Sequence, residues 1–246
     1  MVYSVYGVNG LGIKILLTGV YTVKDPTVLN VLGQKYPKTE ITLKSSTKER
    51  ILLASAALFA RDGYFGVSVK DIATAVEIKP ASLYNHYESK EALWKAVLDR
   101  IQELYNMFTA RLEAVHSQDD TIDEILEYLF YEIKEKTCMF LLSGIALVQT
   151  EQFHSDEAAK MYHNIFLDES ISIIKKQLDD SIINRGTESF DTQTVASMIM
   201  HNLLILINMS VHEDVGRKTE GGVSAQLDAI RETVLSMFQF NNQIGA

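Results

Sequence analysis

A short segment in the N-terminal half of the chain concentrates side chains that bind phosphate. Ser82, Tyr84 and His86 stand at alternate positions, and Lys90 follows four residues later. Hydroxyl and imidazole groups donate hydrogen bonds to phosphate oxygens, and an ammonium group adds a charge-assisted contact. Because no catalytic spacing accounts for these residues, the segment indicates binding of a polyanion rather than catalysis.

The residues before this segment predict two short helices joined by a three-residue turn. Ser68 and Asp71 have the spacing of a capping box, which predicts a helix over about 69–76. Pro80 suits the first position of the next helix, predicted over 80–87. This layout is that of a helix-turn-helix, whose second helix enters the major groove of DNA.

Longer helices are predicted on both sides of this pair. An apolar stripe that ends at Gly63, a natural C-cap residue, predicts a helix over about 48–62. Ser89 is expected to cap a helix that continues to about residue 115, roughly 40 Å long, which is enough to connect two domains.

Charge is distributed unevenly along the chain. The net charge is −9, but residues 1–46 carry +3, residues 47–105 carry 0 and residues 106–246 carry −12. A polyanion should therefore meet the N-terminal half.

Residues 1–46 differ in texture from the rest, with early glycines and two prolines. They predict an N-terminal extension, and a weak hairpin, disorder and a start assigned too far upstream all remain open. The apolar stretch 15–23 is too short to span a bilayer and lacks the features of a signal peptide.

The single cysteine, Cys138, excludes an internal disulfide and a cysteine zinc cluster.

The region 106–246 is predicted to be helical throughout. Residues 195–211 are apolar nearly all round, which is typical of a buried helix. The interrupting side chains Ser197, His201, Asn202 and Asn208 argue against the alternative of a membrane span. The helices at about 191–211 and 222–240 are expected to form the interface of a homodimer as a four-helix bundle with the partner's pair.

No motif of a hydrolase, zinc protease or nucleotide-binding enzyme is present, so we expect no enzymatic activity, no cofactor and no metal. Glu151 and His154 lie three residues apart, with Asp156 and His163 following, which permits a metal site but favours a solvated helix end.

Several apolar residues are candidates for an effector pocket, although a packed core needs the same types. His201 is interpreted either as a hydrogen-bonded core histidine or as the polar contact in that pocket. The candidate lining residues are Tyr128, Phe140, Met161, Met200 and His201.

Residues 47–97 resemble the N-terminal domain of the TetR (tetracycline repressor) family of transcriptional regulators. The matching features are the helix from Ile51 to Phe59, Gly63-Tyr64, Ser68-Val69, Asp71-Ile72-Ala73, Ser82-Leu83-Tyr84, His86-Tyr87 and Ser89-Lys90-Glu91-Ala92-Leu93. The resemblance implies an all-α homodimer. A three-helix DNA-binding head would occupy 47–105, with its helix-turn-helix at 68–87, and a larger effector-binding and dimerisation domain would occupy 106–246.

The resemblance also implies which residues touch DNA. They are Lys79, Ser82, Tyr84, His86 and Lys90, with Lys70 as a weaker candidate and the basic segment 44–50 as an arm contact. Two positions depart from the family pattern. Glu77 stands where glycine is usual, at a position that requires positive φ, and Lys79 stands where a serine or threonine often caps the recognition helix.

The sequence therefore predicts a cytoplasmic, sequence-specific DNA-binding regulator, a repressor released from its operator by a small-molecule effector. The alternatives are an activator or an architectural DNA-binding protein of the same fold.

Overall fold

The computed structural model describes residues 8–9, 12–13, 46–115, 120–135, 139–183, 191–214 and 222–244. Within these ranges the protein is helical, apart from the antiparallel pair β1 (Val8–Asn9) and β2 (Gly12–Ile13). The all-α expectation is confirmed. Apart from Ser46, the other residues of the predicted extension lie outside the described residues, as does Cys138.

Ten α-helices and one π-helical segment occupy the described ranges. They are α1 (Thr47–Asp62), α2 (Val69–Ala75), α3 (Pro80–Leu83), α4 (Lys90–Val115), α5 (Ile122–Glu135), α6 (Met139–Glu151), α7 (Asp156–Met161), the π-helix (Tyr162–Glu169), α8 (Ser170–Ile183), α9 (Thr192–Asp214) and α10 (Gly222–Ile244). Helix α3 is shorter than the predicted 80–87, because the amides of Asn85 and His86 bond three residues back and tighten the chain into turns.

The chain divides into two compact units. The first is Met1–Asn106 with Thr137–Glu151, and the second is Met107–Lys136 with Gln152–Ala246. The boundary therefore falls inside α4, close to the predicted division at residue 106. Helix α6, however, groups with the N-terminal helices, unlike the rest of the region 106–246.

The core of the first unit is built from the apolar stripes of α1, α2, α4 and α6. Phe59 on α1 meets Trp94 on α4 edge to face, with ring centroids 5.8 Å apart, and Tyr64 packs against both rings. Leu83 is fully buried and anchors the short α3 to this core, as predicted. The three helices of the head are thus held by contacts that their apolar spacing already indicates.

The second unit has its own core, with Leu126, Phe130, Phe166 and Leu178 almost completely buried. Arg231 on α10 pairs with Asp123 on α5, with Nε 2.5 Å from Oδ1. This pair holds the pKa of Asp123 below its usual range, chiefly through the hydrogen bond from Arg231.

Helix α9 leaves part of its surface uncovered. Residues Thr192–Val211 are long and apolar enough to cross a membrane by length and composition, and half of this stretch is buried within the protein. Ile205 is 58 % exposed. The prediction of a helix buried all round is therefore wrong for one chain taken alone, because the helices of its own unit cover only part of the apolar circumference.

Candidate nucleic-acid interface

The helix-turn-helix begins with the predicted capping box. The Asp71 amide donates to Ser68 Oγ at 3.2 Å, and Asp71 Oδ2 accepts from the Ser68 amide at 2.8 Å and from its hydroxyl at 2.6 Å. These hydrogen bonds, the hydroxyl first, lower the pKa of Asp71. Lys70 is exposed in the first turn of the same helix.

The turn between α2 and α3 has the backbone conformation that the family resemblance implies. Glu77 has φ 58°, and among the described residues no other non-glycine residue has positive φ. The Glu77 amide donates to Thr74 O at 3.2 Å, and the Ile78 amide to Ala73 O at 2.9 Å, so the turn closes the end of α2. A left-handed conformation at a residue with a side chain costs about 1 kcal/mol.

The predicted contact residues on and around the recognition helix, α3, differ in solvent exposure. Lys79 occupies the N-cap position without a side-chain cap, as predicted, and it is exposed. Tyr84 is 51 % exposed. Ser82 and His86 are partly covered. These side chains lie together on and around α3, while their contacts with DNA stay predictions.

Two basic residues in the first turns of α1 make contacts inside the head. Arg50 Nη2 donates to Val76 O at 2.8 Å, at the end of α2. Tyr87 is buried, and its hydroxyl donates to Lys48 O at 3.3 Å while the Lys48 ammonium lies 5.5 Å from the centroid of the Tyr87 ring. Sequence spacing gave no sign of these contacts, because the partners are 26 and 39 residues apart. Lys44 lies outside the described residues.

Lys90 turns toward the loop after α1. Its ammonium donates to Tyr64 O at 2.5 Å, lies 4.2 Å from the centroid of the Tyr64 ring and 5.9 Å from that of Phe59. Burial lowers the pKa of Lys90, and the nearby charges of Glu151 and Asp71 oppose that shift. Ser89 caps α4 as predicted, accepting from the Ala92 amide at 3.0 Å.

Glu151, at the end of α6, is a residue that sequence reasoning placed wrongly. It is 3 % exposed rather than part of a solvated helix end, and its Oε1 accepts a hydrogen bond from the Tyr64 amide at 2.9 Å. His154 and His163 are exposed. In the described part of the chain, no three His, Cys, Asp or Glu side chains are gathered in a way that could hold a metal ion.

The five candidate pocket residues do not share one compact unit. Phe140 lies in the first unit, and Tyr128, Met161, Met200 and His201 lie in the second. Met200 is buried, whereas Tyr128 and Met161 are partly covered. Burial raises the pKa of the Tyr128 hydroxyl.

The interpretation of His201 as a core histidine is wrong. Its ring is exposed, with Nδ1 2.6 Å from Ser197 O one turn earlier in α9. The imidazole therefore lies along its own helix, on a side that the rest of the second unit does not cover.

A three-helix head with a capped helix-turn-helix and an exposed recognition helix defines a DNA-binding domain. Residues 51–97 match the family model for bacterial regulatory proteins of the tetR family. This match covers the N-terminal head alone, and the resemblance inferred from sequence is confirmed for that domain.

Known proteins that resemble the chain agree with this assignment. The biofilm operon icaADBC HTH-type negative transcriptional regulator IcaR of Staphylococcus epidermidis is 34 % identical over 83 residues, which are 34 % of this chain and 43 % of that protein. The aligned part of the chain thus spans about two fifths of the length of the curated relatives it matches first.

Solved structures match over a larger share of the chain. Salmonella enterica GusR has a TM-score of 0.56 at 19 % identity, over 81 % of this chain and 98 % of that one. A gamma-butyrolactone receptor (ArpA like protein) has a TM-score of 0.52 at 20 % identity, over 70 % and 81 %. At these identities the likeness shows the fold of the chain alone.

Proposed function

We propose that the protein is a sequence-specific DNA-binding transcriptional repressor, a homodimer that a small-molecule effector releases from its operator. The observation that carries the proposal is the exposed recognition segment 79–86, in which Lys79 and Tyr84 project from a helix anchored by buried Leu83. Such a protein works in the cytoplasm, where its DNA is, and needs neither catalytic residues nor a cofactor.

DNA binding would use phosphate contacts for affinity and base contacts for specificity. Tyr84 and His86 donate to phosphate oxygens, and Lys79 reaches a phosphate or a guanine at the start of α3. Two heads in one dimer would place their recognition helices in successive major grooves of a near-palindromic site. Ser82, a small residue on α3, permits close approach to the groove.

Release would follow from effector binding in the second unit, which shifts an equilibrium between two separations of the heads. Helix α4 supports this route because it runs from Ser89, beside the recognition segment, into the second unit. One solved structure of similar fold is described as a receptor for a small molecule, which agrees with effector binding.

The decisive experiment selects bound duplexes from a random DNA library and measures Kd by fluorescence anisotropy. We expect Tyr84→Ala to raise Kd about tenfold, the scale of one lost base or phosphate contact, without loss of folding since the side chain is half exposed. Phe153→Ala, at a side chain 80 % exposed in the second unit, is the matched control and should leave Kd unchanged.

Three outcomes separate the alternatives. Equal, salt-sensitive affinity for selected and random DNA would favour an architectural protein. Sequence-specific binding that raises expression of a reporter gene would favour an activator. A folded Tyr84→Ala variant with unchanged Kd would contradict the assigned recognition surface.

A further inference from the structure

In the loop between α1 and α2, both backbone polar groups of Tyr64 are hydrogen-bonded to side chains. The amide of Tyr64 donates to Glu151 Oε1 at 2.9 Å, and the carbonyl of Tyr64 accepts from the Lys90 ammonium at 2.5 Å. Glu151, Tyr64 and Lys90 therefore form a chain of hydrogen bonds, which we call the Tyr64 clamp. It joins α6 to the loop before the helix-turn-helix and to the first residue of α4.

The clamp leaves its carboxylate little freedom. Glu151 is 3 % exposed, and a Cβ built on Gly63 would lie 3.2 Å from its Oε1. A buried carboxylate needs hydrogen-bond donors and nearby positive charge, which the Tyr64 amide and Lys90 supply. Its attraction also opposes the lowering of the Lys90 pKa by burial.

Helix α6 carries this carboxylate at its last residue. It belongs to the compact unit of the head, yet along the chain it follows α5 and precedes α7, which both belong to the second unit. Within the first unit, α6 is locked against α4, because a Cβ at Gly144 would meet buried Ile101 at 2.6 Å. Glu151 is therefore held by a helix whose place in the head is fixed by close packing.

We propose that Glu151 is a positioning residue for DNA binding, which fixes the Tyr64 peptide and, through it, the place of the Lys90 ammonium against Tyr64. Lys90 is the residue that would meet a phosphate, and Glu151 acts through it without touching DNA. This inference rests on the proposed DNA-binding function and adds a residue from α6 to it.

The test measures Kd and its salt dependence by fluorescence anisotropy on a duplex selected with the wild-type protein. We expect Glu151→Ala to raise Kd about tenfold and to reduce the slope of log Kd against log salt by about 0.9, the equivalent of one phosphate contact. Glu151→Gln keeps an oxygen that accepts from the Tyr64 amide, so its Kd should stay within about twofold of wild type. Glu169→Ala, at an exposed carboxylate of the π-helix, controls for net charge.

A double-mutant cycle separates positioning from a merely structural role. If Glu151 acts through Lys90, then Glu151→Ala should weaken binding little further in a Lys90→Ala background. Additive losses, or an unchanged salt slope in folded Glu151→Ala, would overturn the proposal. Tighter binding by both Glu151→Ala and Glu151→Gln would also overturn it, because the effect would then be one of charge alone.

Folding is checked by circular dichroism at the temperature of the binding assay. Should Glu151→Ala fail to fold, Glu151→Asp replaces it: this variant keeps the charge but withdraws the acceptor by one methylene, so it should bind more weakly than Glu151→Gln. The reverse order would refute the clamp. Failure of the wild-type protein to enrich any sequence would instead refute the proposed function, independently of Glu151.

Discussion

Glu77, in the turn of the helix-turn-helix, combines a strained backbone with a negative charge. Glu77 adopts φ 58° although it has a side chain, and its carboxylate is exposed next to the recognition helix. The left-handed conformation strains the backbone of the turn. The negative charge of Glu77 would repel the phosphates of bound DNA. Nothing else in the structure explains why glutamate stands here.

The strain at this position can be measured directly. Glu77→Gly should raise the free energy of unfolding by about 0.5–1 kcal/mol, since relief of the left-handed conformation exceeds the added entropy of glycine in the unfolded chain. Glu77→Ala is the matched control, because it removes the carboxylate but keeps a Cβ at positive φ. Urea denaturation checks both variants, and an equal gain for alanine would assign the effect to charge instead of backbone.

At the scale of elements, the close approach of α6 and α4 depends on one small residue. A Cβ at Gly144 would lie 2.6 Å from Ile101 Cγ1 and 2.9 Å from its Cδ1, and Ile101 is fully buried. Because the side chain of Ile101 is short and enclosed, it has no free direction in which to move.

Gly144→Ala should therefore destabilise the protein by about 1–3 kcal/mol, the usual cost of overpacking a core. Adding Ile101→Val removes one methylene at the point of contact and should recover part of the loss. Thermal unfolding followed by circular dichroism tests the pair. If the double variant is less stable than Gly144→Ala, by the full cost of Ile101→Val alone, the two residues do not clash as described.

At the scale of the whole molecule, the uncovered part of α9 is the feature that a single chain leaves unexplained. Ile205, an apolar residue in the apolar stretch of α9, is 58 % exposed. We propose, as the sequence predicts, that α9 and α10 form the homodimer interface, so that a second copy covers this surface.

Ile205→Glu should convert the dimer into a folded monomer, because a carboxylate in place of an apolar side chain is costly to bury in an interface. Sedimentation velocity measures the change, and DNA affinity should fall with it since each monomer carries one head. Phe153→Glu places the same charge on an exposed aromatic outside α9 and α10 and should remain dimeric. A dimeric Ile205→Glu variant would place the interface elsewhere.

Much of the three-helix head could be predicted from the sequence, because its helix caps and starts depend on residues that are close together in the chain. The Ser68–Asp71 capping box, Pro80 at the start of α3 and Ser89 before α4 each depend on residues within four positions of one another. Short-range hydrogen bonds and steric limits decide such features. Repeating apolar positions likewise indicated the helices that enclose the core.

Tertiary structure alone decided the contacts between distant segments. The bond from Arg50 to Val76 and the burial of Glu151 against Tyr64 join residues 26 and 87 positions apart, and no periodic pattern encodes such pairs. The exposure of His201 also depended on which part of α9 the neighbouring helices cover. Sequence thus determined the local helices and caps, whereas packing determined which charged groups make contacts inside the head and which remain exposed.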